Sequence, residues 1–109
     1  MGRESLGEFE QLVLLAIVRL GSDTYGVPIV QEIERRTGRL SSRAAVYIAL
    51  RRLQQKGLVT SRMADPTPER GGRGKRYFQI EPAGVKQLRE SRQALLSMWE
   101  DLGPVLGEP

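Results

Sequence analysis

The sequence predicts a mainly α-helical domain carrying one small β-hairpin. Three observations predict it. Segment 7–20 by its length and good helix formers, 25–37 by its caps and apolar side, and 43–56 by its apolar spacing read as helices, each followed by a glycine, at Gly21, Gly38 and Gly57. Two short segments, 58–63 and 76–80, alternate in the manner of strands around a stretch rich in Gly and Pro. A further helical segment follows Pro82. A chain of 109 residues with 39% hydrophobic content holds about one domain with a core of its own.

The first helix reads GEFEQLVLLAIVRL, and between Phe9 and Leu20 only Glu10, Gln11 and Arg19 are polar. That apolar surface is broader than one stripe, so the helix is expected to face its own core and a second surface. Thr24 is expected to cap the second helix, with Pro28 in its first turn. Val27, Ile29, Val30 and Ile33 supply its apolar side. Ser41 or Ser42 is expected to cap the third helix, 43–56. Val46, Leu50 and Leu53 form its inward stripe, and Ala44, Ile48, Arg51 and Gln55 its opposite face, with Tyr47 and Arg52 on the margins. The hairpin follows, with an eleven-residue tip from Ala64 to Gly74. The last helix is expected to run from Pro82 to about Leu102, and Gly103, Pro104 and Gly107 to leave a frayed tail. No repeat is visible.

Composition narrows function before any motif is read. There is no cysteine, so a disulfide scaffold, a thiolate metal site and a cysteine nucleophile are excluded. There is no histidine, the commonest general base and metal ligand. No enzyme activity, metal or cofactor is expected. No apolar run reaches the ~18 residues of a membrane span. No signal peptide is visible at the N-terminus, so a cytoplasmic protein without membrane contact is expected.

The net charge of +4 hides a segregation. Residues 1–34 carry −4, residues 35–76 carry +10 and residues 77–109 carry −2. Ten of the twelve cations in the middle block are Arg, whose planar fork suits phosphate and guanine edges. Genome composition can account for Arg over Lys, but not for the clustering.

Three helices, the third amphipathic and cationic, followed by a hairpin, make the layout of a winged helix-turn-helix. The turn Gly38-Arg39-Leu40-Ser41 is short and contains glycine, as that motif requires. In such a motif the recognition helix sets its N-terminal residues against base edges. Here that end offers Ser41, Ser42, Arg43, Tyr47 and Arg51. The plainer readings are caps for the two serines, a core aromatic for Tyr47, and a solvated pair for Arg51 and Arg52. Arg43 has no such structural excuse, because a helix N-terminus favours anions. The tip 69–76 interleaves Arg70, Arg73, Lys75 and Arg76 with three glycines, which lets the backbone approach a phosphate. Its plainer reading is a solvated loop. Val85, Leu88, Arg92, Leu95, Trp99, Leu102 and Leu106 recur at spacings of three and four, a seam broken once by Arg92. The seam is expected to bury against a second subunit, against the first helix of its own chain, or both.

Taken in order, Leu12 to Ile17, Tyr25-Gly26, Ala45 to Leu53 with Gly57-Leu58-Val59, and Gly72 to Ile80 followed by Gly84 resemble the PadR family of bacterial transcriptional regulators. The resemblance runs from about Leu6 to Trp99. It implies a winged-helix dimer, usually a repressor, acting on an operator and often on its own promoter. It puts Tyr25 near the DNA backbone, Tyr47 on the recognition helix, and the dimer contact on the C-terminal helix and the first helix. Two departures stand out. Ile48 replaces a proline the family often has after the recognition-helix tyrosine, which leaves base preference open. One C-terminal helix replaces the several of longer members, which leaves the effector site open.

The expected organisation is a DNA-binding winged helix over 1–81, a dimerisation helix over 82–103 and a tail over 104–109. The DNA-binding residues expected are Tyr25, Ser41, Ser42, Arg43, Tyr47, Arg51, Arg70, Arg73, Lys75 and Arg76. Those expected at the dimer interface are Leu12, Leu15, Leu88, Leu95, Trp99 and Leu102. The partners are double-stranded DNA, a second copy of the chain bound so as to match a pseudo-palindrome, and room for a small-molecule effector of unassigned chemistry. The alternative is a winged-helix protein-interaction module whose basic face meets an acidic protein. An RNA-binding role lacks clustered exposed aromatics.

Overall fold

The computed structural model describes residues 6–21, 23–64 and 75–107. The order is α1 (Glu8–Leu20), α2 (Gly26–Thr37), α3 (Arg43–Gln55), β1 (Val59–Met63), β2 (Arg76–Ile80) and α4 (Pro82–Trp99). α1, α2 and α3 pack on one another, β1 lies on α3, and α1 also meets β2 and α4. The core holds Val13, Leu14 and Ile17 of α1, Ile29 and Ile33 of α2, the expected stripe Val46, Leu50 and Leu53 of α3, and Val59 and Phe78 from the hairpin. Val27 and Val30, also expected on the apolar side of α2, are only half-buried.

Local chemistry sets the boundaries of α2 and α3. Gly38 ends α2 at φ 73, a left-handed conformation open to glycine at no steric cost, and its N–H bonds the Glu34 carbonyl. Ser42 caps α3, its hydroxyl accepting from the Ala45 N–H at 3.0 Å. Ser41 therefore is not the cap.

Two expectations fail, each for a physical reason. Thr24 does not cap α2, whose N-cap is Tyr25 with no side-chain cap bond. Thr24 is extended instead and pairs with Phe78, accepting its N–H at 2.7 Å and donating to its carbonyl at 3.3 Å. β2 is thus held on one side by β1, in the register Val59 to Ile80 through Met63 to Arg76, and on the other by Thr24. The last helix stops at Trp99 rather than near Leu102, with Glu100 extended and Asp101 at φ 61. The chain leaves the helix at Asp101, whose left-handed backbone is one that Asp tolerates better than most residues and that a right-handed helix cannot contain. Residues 102–107 form hydrogen-bonded turns.

One ion pair ties α1 to the end of α3. The Lys56 ammonium donates to Glu10 Oε1 at 2.9 Å, and the Gly7 N–H donates to the same oxygen at 3.0 Å. Burial pushes the Glu10 carboxyl up, but the Gly7 N–H, the Lys56 ammonium and the Arg52 charge outweigh it and hold the group below its ordinary value. A carboxylate depressed in the folded state stabilises the fold above its unfolded value, and that contribution is lost as pH falls through the folded one. Lys56→Met is therefore expected to lower stability at neutral pH by about 1.5–3 kcal/mol, the worth of a hydrogen bond between charged groups, since Glu10 Oε1 keeps the Gly7 N–H. Urea titrations should show the gap to the wild-type protein closing below about pH 4, where carboxylates protonate.

Candidate nucleic-acid interface

The exposed face of α3 and the base of the hairpin bound one groove. It has a volume of about 540 Å³ and is lined by Tyr47, Arg51, Gln54, Met63, Arg76 and Phe78. A polar relay fixes the hairpin to the helix: Arg76 Nη1 donates to Ser61 Oγ at 2.9 Å, and Ser61 Oγ to Gln54 Oε1 at 3.2 Å. Gln54, Ser61 and Met63 were not expected here. Gln54 and Ser61 carry no charge or spacing signal, and the three meet Arg76 only through the strand register and the packing of β1 on α3.

The expected residues divide by what they touch. Arg43 is the first residue of α3, and Arg51 lies two turns on; both are exposed and have no ion-pair partner among the described residues. Arg43 adds its charge to the positive end of the helix, where anions are favoured. Ser42 is exposed, while Ser41 Oγ is buried with no partner among the described residues. Tyr47, 38% exposed, packs its ring against Phe78 at 6.2 Å. Tyr25 meets Tyr77 edge-on at 5.7 Å, and Lys75 Nζ stands 3.9 Å above the Tyr25 ring. Arg76 is exposed at the start of β2. Arg70 and Arg73 lie outside the described residues.

Several cations of the basic block are already engaged. Arg35 and Arg36 both bond Glu32, at 2.7 and 3.0 Å. Arg39 pairs with Glu8 at 3.0 Å and covers the Phe9 ring, and Arg62 pairs with Asp23 at 3.2 Å. The positive surface is thereby concentrated on α3 and the hairpin, a focusing that residue counts do not reveal.

The expected dimer residues also divide. Leu12 and Leu88 are half-buried and pack on the chain's own core, so part of the seam folds inward. Leu15, Leu95, Leu102 and Trp99 are exposed, Trp99 by 56%. Between α1 and α4 lies a hollow of about 470 Å³ lined by Leu15, Val85, Leu88, Arg92, Leu95 and Trp99, among others.

Among the described residues there is no cluster of acidic side chains that could hold a metal ion, and no helix is long and apolar enough to cross a membrane. A family model described as the transcriptional regulator PadR-like family matches residues 14–90. Solved structures share the fold. A PadR family transcription regulator from Clostridium difficile superimposes with a TM-score of 0.74 at 20% identity, over 92% of this chain and 99% of that one. A PadR-like transcriptional regulator from Bacillus cereus gives 0.70 at 20%, over 93% of each chain. Bacillus subtilis PadR, in complex with operator DNA, gives 0.63 at 18%, over 75% of this chain and 46% of that one. No curated protein sequence matches significantly.

Proposed function

The chain belongs to the PadR-like family of transcriptional regulators, whose members are not enzymes, and from that premise we propose that it is a dimeric repressor binding a pseudo-palindromic operator in the cytoplasm. The observation that carries the reading is the pair of guanidinium groups Arg43 and Arg51 on the exposed face of α3, which have no ion-pair partner among the described residues. Arg reads guanine bidentately in a major groove wide enough for a helix. Ser42 and Tyr25 would bond phosphates beside it. Ser41 would do so only after its hydroxyl is uncovered. Lys75, Arg76 and the tip arginines Arg70 and Arg73 would follow the backbone, supplying affinity without sequence preference.

The dimer follows from the exposed apolar residues of α1 and α4. Leu15, Leu95, Trp99 and Leu102 would be buried against the same residues of a second copy, a self-complementary contact of two-fold symmetry. Leu12 and Leu88 would support that surface from beneath. Two α3 helices about 34 Å apart would then meet successive major grooves. A small-molecule effector would enter the hollow between α1 and α4 beside Trp99.

Fluorescence anisotropy with the DNA upstream of the protein's own gene, against a scrambled duplex at two salt concentrations, tests the reading. Preference for the upstream DNA that persists at the higher salt supports an autoregulating repressor. Equal and salt-labile binding to both would leave only the charge effect. In the same assay, replacing Arg70, Arg73 and Arg76 with Ala is expected to weaken binding to both duplexes. The salt slope should fall by about 1 for each phosphate no longer neutralised. An unchanged slope would remove the hairpin tip from the DNA-binding surface.

A further inference from the structure

The side chain of Tyr47 makes a contact that a base-reading residue would not need. A Cβ on Gly26, the first residue of α2, would stand 2.7 Å from Cε2, Cζ and Oη of the Tyr47 ring. The far end of a rigid ring therefore fills a notch that exists only because residue 26 is glycine. The same ring packs against Phe78, which is buried and joined through its backbone to Thr24, two residues before Gly26. One aromatic side chain thus joins the recognition helix to the start of α2 and to Phe78 of strand β2.

Arg43 and Arg51 lie four residues to either side of Tyr47, so all three share one strip of α3. Whatever fixes the rotation of α3 about its axis at Tyr47 fixes both guanidinium groups. On a helix about 10–12 Å across, a turn of ~15° moves a side-chain tip by roughly 1.5 Å, half the length of a hydrogen bond. We infer that Gly26 and Tyr47 form a positioning pair: the ring seated on Gly26 sets the rotation of α3 and so the aim of Arg43 and Arg51, and Tyr47 itself reads no base. The inference rests on the DNA-binding reading above.

A double-mutant cycle tests it. A duplex is first selected from a random pool with the wild-type protein. Affinities for that duplex and a scrambled one are then measured for Tyr47→Phe, Tyr47→Ala, Gly26→Ala and the double alanine variant. Melting temperatures without DNA are recorded alongside. Tyr47→Phe keeps the ring in the notch and should retain wild-type preference within about twofold. Gly26→Ala should lose at least tenfold on the selected duplex and little on the scrambled one, although residue 26 is not on α3. Once Tyr47→Ala is in place, adding Gly26→Ala should cost nothing further, in affinity or in melting temperature, because the clash is gone. If Gly26→Ala is too unstable to titrate, the melting temperatures of the double and the Tyr47→Ala variants carry the same comparison. A loss with Tyr47→Phe equal to that with Tyr47→Ala would mean the hydroxyl contacts DNA and would overturn the inference. So would a Gly26→Ala penalty that persists beside Ala at 47, or one equal on both duplexes. A wild-type protein that selects no duplex would instead overturn the DNA-binding reading, and that result needs no variant.

Discussion

Trp99→Asp is expected to leave a folded monomer that binds operator at least a hundredfold more weakly. The fold should survive because Trp99 is outside the core and more than half exposed on α4. The dimer should not. A carboxylate in the centre of an apolar contact must be desolvated without a partner, a cost of several kcal/mol in each subunit. The effect on DNA binding follows from linkage, since residue 99 lies on α4, in the proposed dimer face, and not in the groove of α3 and the hairpin. Joining two half-site readers raises affinity by about 10²–10⁴ over one reader alone, and a monomer forfeits that gain. Leu15→Asp, on the exposed side of α1, should do the same. Analytical ultracentrifugation at micromolar protein gives the mass, circular dichroism the fold, and anisotropy the affinity. A dimer of unchanged mass in both variants would remove α1 and α4 from the interface.

The second large effect is expected at Arg43 and Arg51. Each replaced by Ala should cost about 1–3 kcal/mol on the operator and relax preference at one base position per half-site. Binding to scrambled DNA should change far less. The contrast is with Arg35 and Arg39, which the fold pairs with Glu32 and Glu8. Their replacement should leave sequence preference intact. Equal losses on operator and scrambled DNA for Arg43→Ala and Arg51→Ala would reduce both residues to phosphate binders.

The same arginines show where local reading ends. Ten Arg in one block imply an anion-binding surface, and the family match agrees with that class of partner. Which of the ten are available is only in part a local property: Arg35 and Arg36 meet Glu32 one turn away on α2, but other pairs are distant. Arg39 meets Glu8 across 31 residues of sequence, and Lys56 meets Glu10 across 46. Residue types and spacings carry no trace of such pairs, because they arise only when α1 lies across the ends of the other helices. The Tyr47 ring is a similar case. Its spacing puts it on the margin of the exposed strip of α3, yet the end of its ring lies where a Cβ at residue 26 would stand.

What the sequence by itself determined is everything written in short-range physics. The apolar period at Val46, Leu50 and Leu53 marked the buried face of α3, and Gly38 and the serine pair at 41 and 42 marked the ends of the turn before it, the structure choosing Ser42 as the cap. Alternation marked β2 at 76–80, and the order of elements identified the winged helix. These signals are legible because a cap, a turn or an amphipathic stripe is decided by residues within about four positions of one another. Tertiary structure alone decided that Thr24 would pair with Phe78 instead of capping α2. It alone decided that Leu12 and Leu88 would turn toward the chain's own core while Leu15 and Trp99 face outward. In each case a backbone or side-chain group had two partners of similar chemistry within reach. The choice fell to the packing of distant elements, where burial and backbone hydrogen bonding outweigh a single local cap.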